Sequence, residues 1–202
     1  DEDWASSWMS HYKPLKMNQN LWICPSWIVP PDPDAINVIL DPGMAFGTGD
    51  HPTTALCLEW LAEQDLANKN VMDYGCGSGI LAIAALKLGA RGATGVDIDP
   101  QALDVSRRNT VLNGVSDRFQ AFLPNTLPAD TTADIVIANI LAKPLAELAP
   151  HISACVRPGG QLALSGLLRE QVDMVRPYYE KSFAFEQRQR GEWVLFASRK
   201  RA

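Results

Sequence analysis

Apolar residues recur along this chain in two patterns, short continuous runs and stripes at helical spacing. The continuous runs, of which Ile135-Val136-Ile137 is the clearest, are typical of parallel strands covered on both faces. The stripes, such as Leu145, Leu148 and Ile152, follow a spacing of three or four residues and predict helices. Because runs and stripes alternate after residue 70, the sequence predicts an α/β fold with a mostly parallel sheet.

The positions of proline and glycine residues set the predicted boundaries of helices and strands. Pro100 stands where a first-turn proline belongs, and Pro150 is expected to bend or break the helix that contains it. Two final strands joined across Gly191 predict an antiparallel hairpin at the sheet edge. The predicted strands are 21–24, 37–40, 70–74, 93–98, 118–123, 133–139, 161–165, 183–189 and 192–198, and the predicted helices start at Pro52 or span 79–88, 100–113, 143–156 and 169–181.

The length and composition fit one domain with extra chain at one end. With 202 residues and 47% apolar content, the chain can bury a full core. Residues 1–35 are rich in Trp and Pro, so we interpret them as a linker that docks on the domain formed by 36–202. The start at Asp1-Glu2-Asp3 without an initiator Met indicates a cut through a longer protein, whose N-terminal part we expect to be missing.

Charge and cysteine usage restrict the class of partner. A net charge of −5 provides no basic field for a polyanion, so we expect no nucleic acid partner, and a basic protein is the easier substrate. The four cysteines lack Cys-x-x-Cys spacing and are read as reduced core thiols, without a metal site. No leader and no apolar stretch of membrane-spanning length is visible, so we expect a cytoplasmic protein that does not bind membranes.

A glycine-rich turn carries the chemistry. The segment Asp73-Tyr-Gly-Cys-Gly-Ser-Gly79 follows a predicted strand, and its glycines would let the chain pass under a ligand without a Cβ in the way. A dinucleotide turn needs Gly-x-Gly-x-x-Gly, but its sixth position here is Ile80, so the form suits S-adenosylmethionine instead. Asp97, 22 residues after Gly75, ends the next strand and can accept from ribose hydroxyls, because Asp99 is placed to cap the following helix.

Two further segments lie at predicted strand ends. The loop 41–54 contains three glycines and a hydroxyl cluster. It is either a flexible loop before a capped helix or a cover for the cofactor. As a cover, it would place Thr48 or Thr54 on the cofactor carboxylate and Phe46 on an apolar part of the cofactor. A lone His beside a proline is more often structural than catalytic, so we interpret His51 in this loop as structural. Asn139 could accept a hydrogen bond from an attacking amine or cap helix 143–156.

These motifs resemble the PrmA family, the bacterial ribosomal protein L-eleven methyltransferases. The resemblance is carried by Leu40-Asp-Pro-Gly-Met-Ala-Phe-Gly-Thr-Gly-Asp-His-Pro-Thr-Thr54, the glycine-rich turn with Asp73 and Gly77, Asp97-Ile-Asp-Pro100 and Asn139-Ile-Leu-Ala142. It implies a Rossmann-like class I fold with a seven-stranded sheet and S-adenosylmethionine as cofactor. It further implies methylation of lysine side chains and an α-amino group of that ribosomal protein. Cofactor contacts are then expected at Thr54, Gly75, Asp97 and Asn139, with Phe46, Gly47, Thr48 and Gly49 covering the cofactor.

The sequence departs from the family in two places and leaves rival functions open. The family usually has an N-terminal substrate-binding domain, which we expect to be missing from this sequence. In addition, Asp50 stands where Thr is more common in the family. The rivals are an N-methyltransferase acting on an adenine or a glutamine amide, a cofactor-binding module that is inert without its partner domain, and a nicotinamide oxidoreductase. No Ser-His-Asp order and no oriented Cys-His pair is present, which argues against nucleophilic catalysis.

Overall fold

A computed structural model describes residues 12–41 and 49–201 of the chain. The first described strands form a small sheet of their own, in which β2 pairs antiparallel with β1 and parallel with β3. Leu21, Ile23 and Val38 of this sheet are buried in the same apolar cluster as residues 80–86. The three strands are β1 (Leu15–Lys16), β2 (Leu21–Pro25) and β3 (Ile36–Leu40).

The small sheet joins the predicted linker to the predicted domain. Because Leu21 pairs with Ile36, strands on both sides of residue 35 share hydrogen bonds. The segment 12–35 is therefore docked on the domain through a ladder and a common core. The division into a linker and a domain at residue 35 stays a prediction.

The main sheet has seven strands in the order β6-β5-β4-β7-β8-β10-β9. The five strands from β6 to β8 in that order are parallel, and β10 runs antiparallel to both of its neighbours. This confirms the predicted α/β fold with an antiparallel edge hairpin. The strands are β4 (Asn70–Tyr74), β5 (Gly92–Val96), β6 (Phe119–Phe122), β7 (Ala133–Asn139), β8 (Val156–Leu168), β9 (Glu186–Arg190) and β10 (Trp193–Arg199).

Helices cover both faces of this sheet, and an apolar cluster lies on each face. None of the helices in the described ranges is both long and apolar enough to span a bilayer. The helices are α1 (Pro52–Ala62), α2 (Ile80–Lys87), α3 (Pro100–Leu112), α4 (Ala142–Glu147), α5 (Ala149–Cys155) and α6 (Val172–Val175), with single 3₁₀ turns at Ser116–Arg118, Arg169–Gln171 and Arg176–Tyr178.

Two predicted helices differ from the observed ones. The helix predicted at 143–156 is divided at Leu148 into α4 and α5, with Pro150 in the first turn of α5, which confirms the predicted break. The continuous helix predicted at 169–181 is wrong, because the segment consists of short turns around α6. Pro177 has no amide hydrogen to donate to a helix in this segment. The hydroxyl of Tyr179 donates to the carbonyl of Leu145 at 2.7 Å.

Strand boundaries near the carboxyl end of the chain were also misplaced. Strand β8 is longer than the predicted 161–165 and spans Val156–Leu168. Strand β9 begins at Glu186, whereas Phe183 forms only an isolated bridge with Lys200. The part of β8 beyond the predicted end at residue 165 includes Gly166, which lies at the candidate site.

The strand order creates a crevice at one edge of the sheet. The chain runs outward from β4 through β5 to β6 and then returns to the other side of β4 with β7. Ligands of open α/β sheets bind where the order reverses, outside the carboxyl ends of the strands. Tyr74 and Ala138 are paired residues at this point, so the segments after Tyr74 and Asn139 lie side by side.

Candidate functional site

A cavity of about 570 Å³ opens at the carboxyl ends of β4, β5 and β7. Its volume is in the range of small-molecule sites, about 300–1,000 Å³. The wall is mostly apolar with a few polar groups, as expected for a cofactor site. Of the residues singled out from the sequence, it brings together His51, Thr54, Asp73, Gly75, Gly77, Asp97 and Asn139.

The glycine-rich turn forms one side of this cavity with a left-handed backbone. The φ angles are +81° at Gly75, +51° at Gly77 and +82° at Gly79, which side chains other than glycine rarely adopt. Gly79 is the N-cap residue of α2, so the amino end of a buried helix begins at the turn. The amide hydrogens of Gly75 and Cys76 are donated to the Val96 carbonyl, and that of Gly77 to Asp97, so the turn is fixed against the end of β5 at the cavity edge.

Two of the glycines are also required by contacts within the protein. A Cβ on Gly75 would overlap Cγ2 of Ile140, and a Cβ on Gly79 would lie 2.9 Å from Cβ of Ser106. Close packing therefore excludes side chains at both positions. The expectation that Gly75 also leaves room for a ligand stays a prediction.

Asp97 lies at the end of β5 and faces the turn. Its Oδ2 accepts the amide hydrogen of Gly77 at 2.9 Å, and its Oδ1 accepts that of Asp99 at 3.0 Å. Asp99 in turn accepts from Gln101 at 2.9 Å as the N-cap of α3, so its predicted capping role is confirmed. Each carboxylate oxygen of Asp97 has a second lone pair, so the group can also accept from ligand hydroxyls.

Asp73 is buried beneath the turn with one oxygen lacking a partner. It is 1% exposed, and its Oδ2 accepts the amide hydrogen of Ala82 at 3.2 Å. Its Oδ1 has no hydrogen-bond partner among the described residues. Burial raises the pKa of Asp73 to about 7, the Ala82 hydrogen bond opposes this rise, and the Asp97 charge adds to it. A cationic ligand group at Oδ1 would compensate the buried charge.

Asn139 and Thr54 meet across the cavity floor. Asn139 donates from Nδ2 to the hydroxyl oxygen of Thr54 at 3.3 Å. Asn139 does not cap the helix that follows, because α4 starts after Leu141 and has no side-chain cap. With its amide hydrogen directed at Thr54, Asn139 keeps its carbonyl oxygen available as an acceptor.

His51 caps helix α1. Its Nδ1 accepts the amide hydrogen of Thr53 at 3.3 Å and lies 2.8 Å from the Thr53 hydroxyl oxygen. The imidazole also packs edge-on against Trp193, with ring centroids 4.7 Å apart. These contacts give His51 a structural role at the cavity rim, in line with the sequence-based interpretation.

The predicted cover of the cofactor is only partly described. Phe46, Gly47 and Thr48 lie outside the described residues. Gly49 is described and buried, but it is not part of the cavity wall. A Cβ at Gly49 would lie 3.2 Å from Ile23 and 3.3 Å from Ile80, so this glycine packs between the small sheet and α2.

The cavity wall includes residues that the sequence analysis missed. Trp193 comes from β10 and Gly166 from β8, far along the chain from the motifs. A Cβ on Gly166 would overlap the carbonyl oxygen of Ile140, so this glycine permits a close backbone approach. An isolated glycine inside an apolar strand is a known sign of such an approach and was available in the sequence.

The cysteines are unpaired thiols, and one of them, Cys76, lies in the cavity wall. Cys24, Cys57, Cys76 and Cys155 are all free and buried, as predicted for reduced core thiols. Within 12–41 and 49–201, no cluster of three or more His, Cys, Asp or Glu side chains could hold a metal ion.

A family model and the curated relatives that match this chain carry the same description. A family model described as ribosomal protein L11 methyltransferase (PrmA) matches residues 1–201. The ribosomal protein L11 methyltransferase of Shewanella sediminis is 59% identical over 187 residues, which is 93% of this chain and 64% of that protein. That of Serratia proteamaculans is 55% identical over 202 residues, which is 100% of this chain and 69% of that protein.

A solved structure supports the same relationship. The crystal structure of the ribosomal protein L11 methylase from Lactobacillus delbrueckii subsp. bulgaricus superposes with a TM-score of 0.83 at 32% identity, covering 95% of this chain and 100% of that chain. The resemblance that the sequence motifs carried is thereby confirmed. This chain belongs to the ribosomal protein L11 methyltransferase (PrmA) family.

Proposed function

We propose that this chain binds S-adenosylmethionine in the cavity and transfers its methyl group to amino groups of ribosomal protein L11, on lysine side chains and on an α-amino group. The chain spans 64% of the length of the Shewanella sediminis relative, so the activity of the longer protein is part of this proposal. The observation that carries it is the wall that joins Asp97, the glycine-rich turn and Asn139 around one cavity.

The residues of the cavity fit the chemical groups of that cofactor. Asp97 offers acceptors for ribose hydroxyls, and exposed Ile98 beside it offers an apolar surface for the adenine ring. Asp73 offers an unpartnered, buried oxygen that suits an ammonium group. When bound, S-adenosylmethionine supplies an electrophilic methyl group on a sulfonium. Thr54, Gly75 and Gly77 complete the proposed contacts.

Asn139 is proposed to orient the amine that receives the methyl group. Its carbonyl oxygen can accept an N–H of the substrate amine, because its amide hydrogen is directed at Thr54. Fixing the amine in line with the reacting methyl group lowers the entropic part of the barrier. His51 is assigned to capping and packing, so Asn139 acts by orientation and no described residue is assigned the role of base.

The test is transfer of a labelled methyl group to purified ribosomal protein L11, followed by mass spectrometry of the protein. We expect label on lysine side chains and on the amino terminus, and a much lower rate in Asn139→Ala. The Serratia proteamaculans relative serves as the positive control.

The rival functions give different outcomes. A chain that binds S-adenosylhomocysteine but leaves L11 unlabelled, while the relative labels it, would be a cofactor-binding module that is inert alone. Thermal protection by NAD in place of S-adenosylhomocysteine would indicate a nicotinamide oxidoreductase. Either result would contradict the proposed function.

A further inference from the structure

Asn109 of helix α3 and Asn113, the C-cap residue of that helix, cover the outer edge of strand β3 and of Asp41 after it. The amide hydrogen of Ile39 is donated to Oδ1 of Asn113 at 2.8 Å, and Nδ2 of Asn113 donates to the Ile39 carbonyl at 2.6 Å. One helical turn earlier, the amide hydrogen of Asp41 is donated to Oδ1 of Asn109 at 3.0 Å, and Nδ2 of Asn109 donates to the Asp41 carbonyl at 3.2 Å. Each side chain thus reproduces the pair of hydrogen bonds that a neighbouring strand would make.

The spacing of helix and strand makes this ladder possible. Residues four apart on a helix are about 6 Å apart along its axis. Residues two apart on a strand, whose backbone groups face the same edge, are about 6.6 Å apart. Asn113 therefore lies opposite Ile39, and Asn109 opposite Asp41, nearly in register.

Asn109, unlike Asn113, also makes a hydrogen bond to the glycine-rich turn. Its Nδ2 also donates to the carbonyl oxygen of Ser78 at 2.9 Å, and Ser78 belongs to the glycine-rich turn. Asn109 is fully buried, and reversing its amide would place NH₂ against the Asp41 amide hydrogen, so the orientation is fixed by its partners. The second donation of Asn113 goes instead to the Asn109 carbonyl within the same helix.

Helix α3 is held against the turn at a second point. Cα of Ser106 would lie 3.2 Å from a Cβ on Gly79, so the helix and the turn are in close backbone contact. The segment that leads into α3 is also tied to the turn, through the hydrogen bond from Gly77 to Asp97. A shift of the turn is therefore transmitted to α3, and Asn109 carries it to Asp41.

We propose that Asn109 is a positioning residue that couples the glycine-rich turn to the end of strand β3. This inference rests on the proposed function, in which the turn holds the cofactor. Coupling of this kind is reciprocal, so cofactor bound at the turn stabilises the backbone of 36–41, and an ordered 36–41 strengthens cofactor binding. Asn113 holds the same strand without a hydrogen bond to the turn, so its removal should affect cofactor binding much less.

The experiment compares Asn109→Leu with Asn113→Leu in the full 202-residue chain. Both substitutions remove an amide that bridges α3 to β3, and both introduce a side chain of similar size without charge. Calorimetry measures the dissociation constant of S-adenosylhomocysteine. Hydrogen exchange measures the protection of 36–41 with and without that ligand. Thermal melting of each variant measures the loss of stability, which is expected in both variants if the two asparagines are merely structural.

We expect Asn109→Leu to raise the dissociation constant about tenfold and to abolish the ligand-induced protection of 36–41. Asn113→Leu should lower the melting temperature but keep the dissociation constant within about twofold and retain the protection. Should Asn109→Leu fail to fold, Asn109→Ser makes the same comparison with a smaller disturbance.

Equal effects of the two substitutions on ligand affinity, or unchanged affinity in the Asn109 variant, would overturn the inference while the unmutated chain still binds the ligand. An unmutated chain that does not bind S-adenosylhomocysteine would overturn the proposed function itself.

Discussion

Asn139 at the end of β7 donates a hydrogen bond to Thr54 in the first turn of α1, at 3.3 Å. Thr54 is 1% exposed, so its hydroxyl is fixed by the core of the domain. Because an amide group is planar, this bond also fixes the direction of the Asn139 carbonyl oxygen. Two elements that are 85 residues apart in the chain thereby define one acceptor at the cavity.

Thr54→Val should slow methyl transfer more than it weakens cofactor binding, since it removes the acceptor that orients Asn139. A loss of about tenfold in the single-turnover rate is expected for one misdirected hydrogen bond. Thr54→Ser keeps the hydroxyl and is the matched control. An S-adenosylhomocysteine affinity that falls as much as the rate would show that Thr54 acts mainly as a cofactor contact.

Gly75→Ala should destabilise the fold even without cofactor, because its Cβ would overlap Ile140 and its φ is +81°. The left-handed conformation alone costs about 1–2 kcal/mol for a side-chain-bearing residue. Ile140→Ala in the same chain should recover part of the loss, which a double-mutant cycle from denaturant unfolding would measure. Strict additivity of the two changes would mean that Ile140 is not the obstacle.

Asp73→Asn should change the pH dependence of stability in the cofactor-free chain. Since burial raises the pKa of Asp73 to about 7 in the folded state, the folded chain retains a proton that the unfolded chain loses near pH 4. The stability from this group is therefore present below about pH 4 and is lost as the pH rises toward 7. The melting temperature of Asp73→Asn, relative to the unmutated chain, should rise over that interval.

The control for Asp73→Asn is Asp130→Asn, which removes one negative charge at an exposed position. A melting-temperature difference for Asp73→Asn that stays constant from about pH 4 to pH 7 would contradict the assigned burial effect.

His51→Ala should lower the free energy of unfolding by about 1 kcal/mol, because it removes the N-cap of α1. His51→Ser supplies another preferred cap and should restore most of this stability along with the methyl-transfer rate. If His51→Ser is stable but transfers methyl groups far more slowly than the unmutated chain, His51 takes part in the chemistry.

The sequence predicted the parts of the site that lie within single strand-to-helix turns. Asp73, Gly77 and Asp97 all line the cavity, because each lies at or just after the end of its own strand, which a local pattern predicts. The central strands were placed well for the same reason, and β4 and β7 have the predicted bounds.

Contacts between distant segments were not predictable in the same way. The space beside Gly75 is filled by Ile140, and Trp193 reaches the cavity from the edge hairpin. Both depend on how the strands are ordered across the sheet, which no local pattern in one sequence encodes. The wrong helix at 169–181 has a related cause, since Tyr179 is drawn into the core by a contact with Leu145.

Asp97 is proposed to hold a ribose-bearing cofactor at the switch point of the sheet, and the decisive measurement is calorimetric titration of S-adenosylhomocysteine. Hydrogen bonds to a charged acceptor contribute about 1.5–3 kcal/mol each, so Asp97→Ala should weaken binding at least about tenfold. Asp99→Ala, which removes only the cap of α3, should lower stability and leave the affinity within about twofold. An Asp97→Ala affinity within about twofold of the unmutated chain would show that Asp97 does not hold the cofactor.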